Sequence, residues 1–165
     1  MNGNILHCIA NPHAARGTRK REVEAIQAFF QQHSLPSALY WTEYPHHAME
    51  IAERLVRSGA KRIAALGGDG TAFEVINGMM RSGASQDVSL AILPLGTGNS
   101  FLRDYGIASW EEMALRVVRG ETRRVDIGQI EILGEKEENL LFFHNMVGMG
   151  IVAEACRLRH TRFPW

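Results

Sequence analysis

Cysteine is scarce: two residues in 165, Cys8 and Cys156, near opposite ends of the chain and outside any CxxC pair. That count gives neither a disulfide framework nor a CxxC redox pair. An excess of either charge is also missing. Lysine plus arginine number 18, as do aspartate plus glutamate, so the formal net charge is zero. A dedicated nucleic-acid binder carries a basic excess, because phosphate neutralisation dominates its affinity; no nucleic-acid partner is expected. No run approaches the ~18 uncharged apolar residues of a membrane span. The opening stretch from Met1 to His13 lacks the charged and apolar regions of a secretory signal. Seven histidines occur without HExxH spacing, and the adjacent His46 and His47 point different ways on any regular element. The expectation is a reduced, soluble, cytoplasmic protein with no histidine metal site.

What is present is ordinary globular composition, 45% hydrophobic and 22% charged. The length suits one domain, or one domain and part of another. Ile5–Ala10 reads as a buried strand ending at Asn11-Pro12, and 18–33 as a helix with Val23, Ile26 and Phe30 on one face. A second strand spans 38–42. Ala48, Ile51, Ala52, Leu55 and Val56 then recur at helical spacing, and Gly59 is placed to end that helix. Strands at 62–66 and 89–93 alternate with helices at 72–81 and 110–118. Strands alternating with helices predict an α/β fold with an open, mainly parallel sheet. After Gly120 the pattern turns β-rich: 124–133 and 140–147 read as strands joined by a charged, solvated turn. The expected division is a nucleotide-binding domain over 1–124 and a partial, truncated β-rich second domain over 125–165.

Nine of the sixteen glycines fall between Gly59 and Gly106. Gly67-Gly68-Asp69-Gly70-Thr71 follows the third strand, and Gly96-Thr97-Gly98-Asn99 follows the fourth. Asn11-Pro12 with Gly17 follows the first. Glycine lets a ligand approach the backbone, and in open α/β sheets ligands sit just beyond the carboxyl ends of the strands. Amides at the following helix start favour phosphate oxygens. A carboxylate there is repelled by phosphate unless a cation intervenes. Asp69 therefore reads as a Mg²⁺ ligand, direct or through water, or as the acceptor of a hydroxyl proton. The plainer alternative is a sharp turn with Asp69 as helix N-cap. Three such loops on one sheet would converge on one edge, which unrelated turns do not explain. There is no GxxxxGK[ST] motif, and Gly148–Ala153 fits GxGxxA only formally.

The run Leu66–Gly78 resembles the signature of the diacylglycerol kinase catalytic-domain superfamily, which includes sphingosine kinases and bacterial lipid kinases. Leu93–Phe101 resembles its second signature, Asn11-Pro12 with Gly17 its first, and Thr42 with His47-Ala48 a fourth. NAD kinases and phosphofructokinases share the GGDGT loop, but Gly96-Thr97-Gly98-Asn99 favours the lipid-kinase branch. The resemblance implies an ATP site. Asn11 and Thr42 would lie near the nucleotide. Gly67, Gly68, Gly70, Thr71, Gly96, Thr97 and Gly98 would cradle phosphates, and Asn99 would hold the loop or the nucleotide. Asp69 would be the catalytic and Mg²⁺-binding residue. Glu74 is a motif position that serves equally well as a brace, and Arg16 serves as well in solvent as on phosphate.

His13-Ala14-Ala15 stands where the family has serine-glycine, and Val152 where it has aspartate. Family members are roughly twice this length, and their second domain carries an Asp-Gly-Glu-like motif that does not occur here after Gly70. Two functions follow. One is an ATP- and Mg²⁺-dependent lipid kinase acting on diacylglycerol or a sphingoid-type lipid, with peripheral membrane contact. The other is a non-catalytic or truncated nucleotide-binding module with an exposed apolar surface near Phe142, Phe143 and Trp165. Unpaired sheet edges suggest a homodimer.

Overall fold

The computed structural model describes residues 5–12, 19–83, 87–96, 98–132, 139–148, 150 and 153. The elements in chain order are β1 (Leu6–Ala10), α1 (Lys20–Gln32), β2 (Ser37–Trp41), α2 (His47–Arg57), β3 (Arg62–Gly67), α3 (Asp69–Arg81), β4 (Ser89–Pro94), α4 (Ser100–Arg103), α5 (Trp110–Val118), β5 (Gly128–Ile132) and β6 (Asn139–Phe143). The first four strands form one parallel sheet in the order β2-β1-β3-β4. This is the open α/β sheet expected from the alternation of patterns.

Successive strand residues point to opposite faces, and here both faces are covered. Leu6, Cys8, Ala10, Ala64, Leu66 and Leu93 pack with Val23, Ile26 and Phe30 of α1 and Ala114 and Val117 of α5. Ile9, Ile63 and Ala65 pack on the other side with Ala48, Ile51, Ala52 and Leu55 of α2 and Val75 and Met79 of α3. Two covered faces account for the almost unbroken apolar run of β3. Cys8 is fully enclosed; burial pushes its thiol up to about 12, so it packs as a small inert side chain. α2 ends at Gly59, whose φ of +95° belongs to the left-handed region, with Ala60 N–H donating to the Leu55 carbonyl at 3.0 Å.

Three expectations need correction. α3 begins at Asp69, three residues before the predicted start, so the glycine-rich turn is already the helix's first turn. Gly68 is its N-cap, and Asp69 is the first helical residue. The β-rich strands are shorter than predicted. β5 and β6 pair antiparallel only from Gly128↔Phe143 to Ile132↔Asn139, and 121–127 is irregular because no strand lies opposite it. The intervening turn at 133–138 lies outside the described residues, as does most of Gly148–Ala153. Finally, Phe142 is not an exposed apolar residue: it is buried against α3. Trp165 lies outside the described residues.

Candidate functional site

The strand order reverses between β1 and β3, so the chain leaves their carboxyl ends toward different neighbours and opens a crevice there. Asn11 stands at the end of β1, its amide donating to the Leu66 carbonyl of β3 at 3.3 Å. Gly67 ends β3, and its carbonyl accepts the Leu95 amide just past β4 at 2.9 Å. Three loops are thereby tied to one edge of the sheet.

The two glycine loops touch. A Cβ on Gly68 would stand 3.1 Å from the Gly96 Cα, and one on Gly96 would stand 2.9 Å from the Asn99 Oδ1. No side chain fits between these backbones, which is why glycine occupies both positions. Asn99, left-handed at φ 46°, fastens the second loop on itself. Its Nδ2 donates to the Gly96 carbonyl at 2.6 Å and its Oδ1 accepts the Gly96 amide at 3.2 Å. Gly70 faces open space. Among the described residues nothing accepts from the amides of Asp69, Gly70 and Thr71, the first three of α3. They present the partial positive end of a thirteen-residue helix at the crevice.

Asp69 sits between the loops. Its Oδ2 accepts from both the amide and the hydroxyl of Ser100, each at 3.2 Å. Its Oδ1 has no hydrogen-bond partner among the described residues and remains for a ligand. Thr71 and Thr42 are both buried. Thr71 packs its side chain into the space where a Cβ on Gly67 would stand, so it braces the turn. Thr42 continues β2, its amide donating to the Ala10 carbonyl at 2.9 Å. Gly98 lies beside the Asp69 carboxylate. Thr97, Arg16 and Gly17 lie outside the described residues.

Glu74 is a brace. One turn into α3, its two carboxylate oxygens accept the amides of His46 and Ala48 at 3.1 and 3.2 Å, capping the start of α2. Residues to which the sequence motifs assign no role complete the arrangement. Asn77, fully buried in α3, donates from Nδ2 to the Phe142 carbonyl at 2.8 Å and accepts the Phe142 amide on Oδ1 at 2.9 Å. Asn145, just past β6, donates to the Ser100 hydroxyl at 2.7 Å. The chain Asn145–Ser100–Asp69 therefore links the β5–β6 hairpin to the glycine loops. Partners 31, 45 and 65 residues apart leave no local periodicity to read.

No three His, Cys, Asp or Glu side chains among the described residues are grouped to hold a metal. The oxygen donors at hand still fit Mg²⁺, which takes one or two carboxylates and completes its shell with water and substrate phosphate. Asp69 Oδ1 would supply the carboxylate. Among the described residues, no helix is long and apolar enough to cross a membrane.

Comparison with known proteins agrees with this geometry. The chain is 30% identical over 148 residues to the diacylglycerol kinase of Bacillus subtilis, covering 88% of this chain and 46% of that protein. It is 29% identical over 169 residues to sphingosine kinase 1 of Arabidopsis thaliana, covering 97% and 34%. A diacylglycerol kinase structure from Bacillus anthracis shares the fold, with a TM-score of 0.61 at 23% identity over 79% of this chain and 46% of that one. The chain spans about half the length, or less, of these curated relatives. The family model for the diacylglycerol kinase catalytic domain matches residues 6–130, from β1 into β5 and across both glycine loops. The chain belongs to the diacylglycerol kinase catalytic-domain family.

Proposed function

We propose that this chain is the nucleotide-binding half of a lipid kinase, with ATP as phosphate donor and a lipid hydroxyl as acceptor. The observation that carries this is the pair of abutting glycine loops with Asp69 held between them by Ser100. Close backbone approach and free helix-start amides suit the triphosphate, and Asp69 supplies the carboxylate that phosphoryl transfer needs beside it. Mg²⁺, when bound at Asp69, neutralises charge on the phosphate oxygens. Gly68, Gly70, Gly96 and Gly98 admit the phosphates, Asn11 and Thr42 border the nucleotide, and Asn99 keeps the second loop closed. The lipid acceptor calls for peripheral membrane contact and the ATP for a cytoplasmic location. The open edges of β2 and β4 are where a homodimer would form.

Transfer of labelled γ-phosphate from ATP·Mg²⁺ to lipid in mixed micelles tests the proposal. Wild type is expected to label lipid and Asp69→Asn to lose at least 100-fold, since charge neutralisation dominates this chemistry. Absence of label from wild type, with nucleotide still bound, would instead support a non-catalytic module. The partial overlap with the relatives is what keeps that second function in view.

A further inference from the structure

His144 is distinct among the described side chains: both its ring nitrogens are buried and neither has a hydrogen-bond partner. Other residues with a buried unpartnered atom, Arg19, Glu22 and Gln27, each bond through a second atom. Shielded ring nitrogens with no partner are costly unless another molecule supplies one. The ring packs edge-on against Phe101, with centroids 4.8 Å apart at 78°. It borders a cavity of about 330 Å³ that Phe101, Tyr105, Arg123, Asp126 and Asn145 also line. Arg123 lies over the Tyr105 ring at 5.1 Å, and among the described residues no ion pair joins the cavity's charged groups. The next residue, Asn145, begins the hydrogen-bonded chain to Asp69. Burial lowers the His144 pKa, with the Asp69 charge opposing, so the neutral ring can both donate and accept.

We propose that this cavity receives the polar, hydroxyl-bearing end of the lipid acceptor and that His144 hydrogen-bonds its hydroxyl, holding it toward Asp69. The proposal rests on the kinase function above and adds where the acceptor enters and what orients it. The guanidinium groups of Arg123 and Arg124, the carboxylates of Asp104 and Asp126 and the aromatic walls suit a headgroup bearing a primary alcohol, whether a glycerol or an amino alcohol.

His144→Phe keeps the aromatic packing on Phe101 while removing both nitrogens; His144→Gln restores a donor and an acceptor. With dioctanoylglycerol and with sphinganine as separate acceptors, His144→Phe is expected to raise the acceptor KM at least tenfold and leave the ATP KM unchanged. His144→Gln should recover part of the loss, and the acceptor more sensitive to the change identifies the headgroup. An unchanged acceptor KM in His144→Phe overturns the proposal. A second measurement does not require turnover. The imidazole nitrogen resonances of His144, identified by their absence in His144→Phe, should shift when either acceptor is added to the full chain with a non-hydrolysable ATP analogue. Resonances unmoved by both acceptors overturn the proposal even if phosphate is transferred. If wild type transfers nothing, the kinase function fails and the resonance shift alone decides on the acceptor contact.

Discussion

Gly96 shows how a single missing atom shapes the site. Its Cα and that of Gly68 are so close that a methyl group on either meets backbone, which cannot swing aside as a side chain does. Gly96→Ala should therefore destabilise the fold by about 1–3 kcal/mol, the usual cost of overpacking, and weaken ATP binding by prising the loops apart. A urea midpoint equal to wild type would show that the loops do not abut. Glycine's place here was legible in the sequence, because repeated glycines after successive strands imply close backbone approach. The partner of Asp69 was not. Ser100 follows Asn99 directly, yet its bond to Asp69 spans 31 residues, and only folding brings the two together. Thr71 shows the reverse: its position was evident, but its burial against Gly67 was not, since a motif names neighbours in sequence and not the direction a side chain takes.

At the scale of elements, α3 links the site to the rest of the chain. Its first turn carries Asp69, its second reaches α2 through Glu74, and its third grips β6 through Asn77. Gly78, beside Asn77, lets α2 come so near that a Cβ there would collide with the Met49 carbonyl. An isolated two-stranded hairpin is marginal in water, so β5–β6 depends on this helix. Asn77→Ala would leave the buried amide and carbonyl of Phe142 unpaired at a cost of about 3 kcal/mol. The expected result is a lower melting temperature together with faster hydrogen exchange at the Phe142 amide. Exchange there as slow as in wild type would mean another group takes over the bonds. Helix extents were legible because α1, α2 and α5 each carry a clear apolar stripe. The ends of β5 and β6 were not, because a strand's length is set by its partner. Gly128 pairs with Phe143, and there the ladder stops.

For the whole molecule, a parallel sheet with both faces covered gathers its loops at one end, and a ligand there bears on all of them at once. A ligand bound only by the folded state at 100 times its Kd stabilises by ~2.7 kcal/mol. At about 2–4 °C per kcal/mol for a chain this size, saturating ATP·Mg²⁺ should raise the melting temperature by about 5–10 °C. Gly96→Ala should show much less of this rise at the same nucleotide concentration. A wild-type melting temperature indifferent to ATP·Mg²⁺ would count against a nucleotide site at this edge. The α/β architecture was legible in the alternation of periods, whereas the hairpin's attachment was not: it runs through the Asn145–Ser100 bond and through the buried side-chain amide of Asn77. That amide addresses main-chain atoms, which every residue except proline supplies in full. The identity of residue 142 is thus invisible to the clasp, though not to the packing around it, so the β5–β6 hairpin can drift in sequence without coming loose from the helix that carries Asp69.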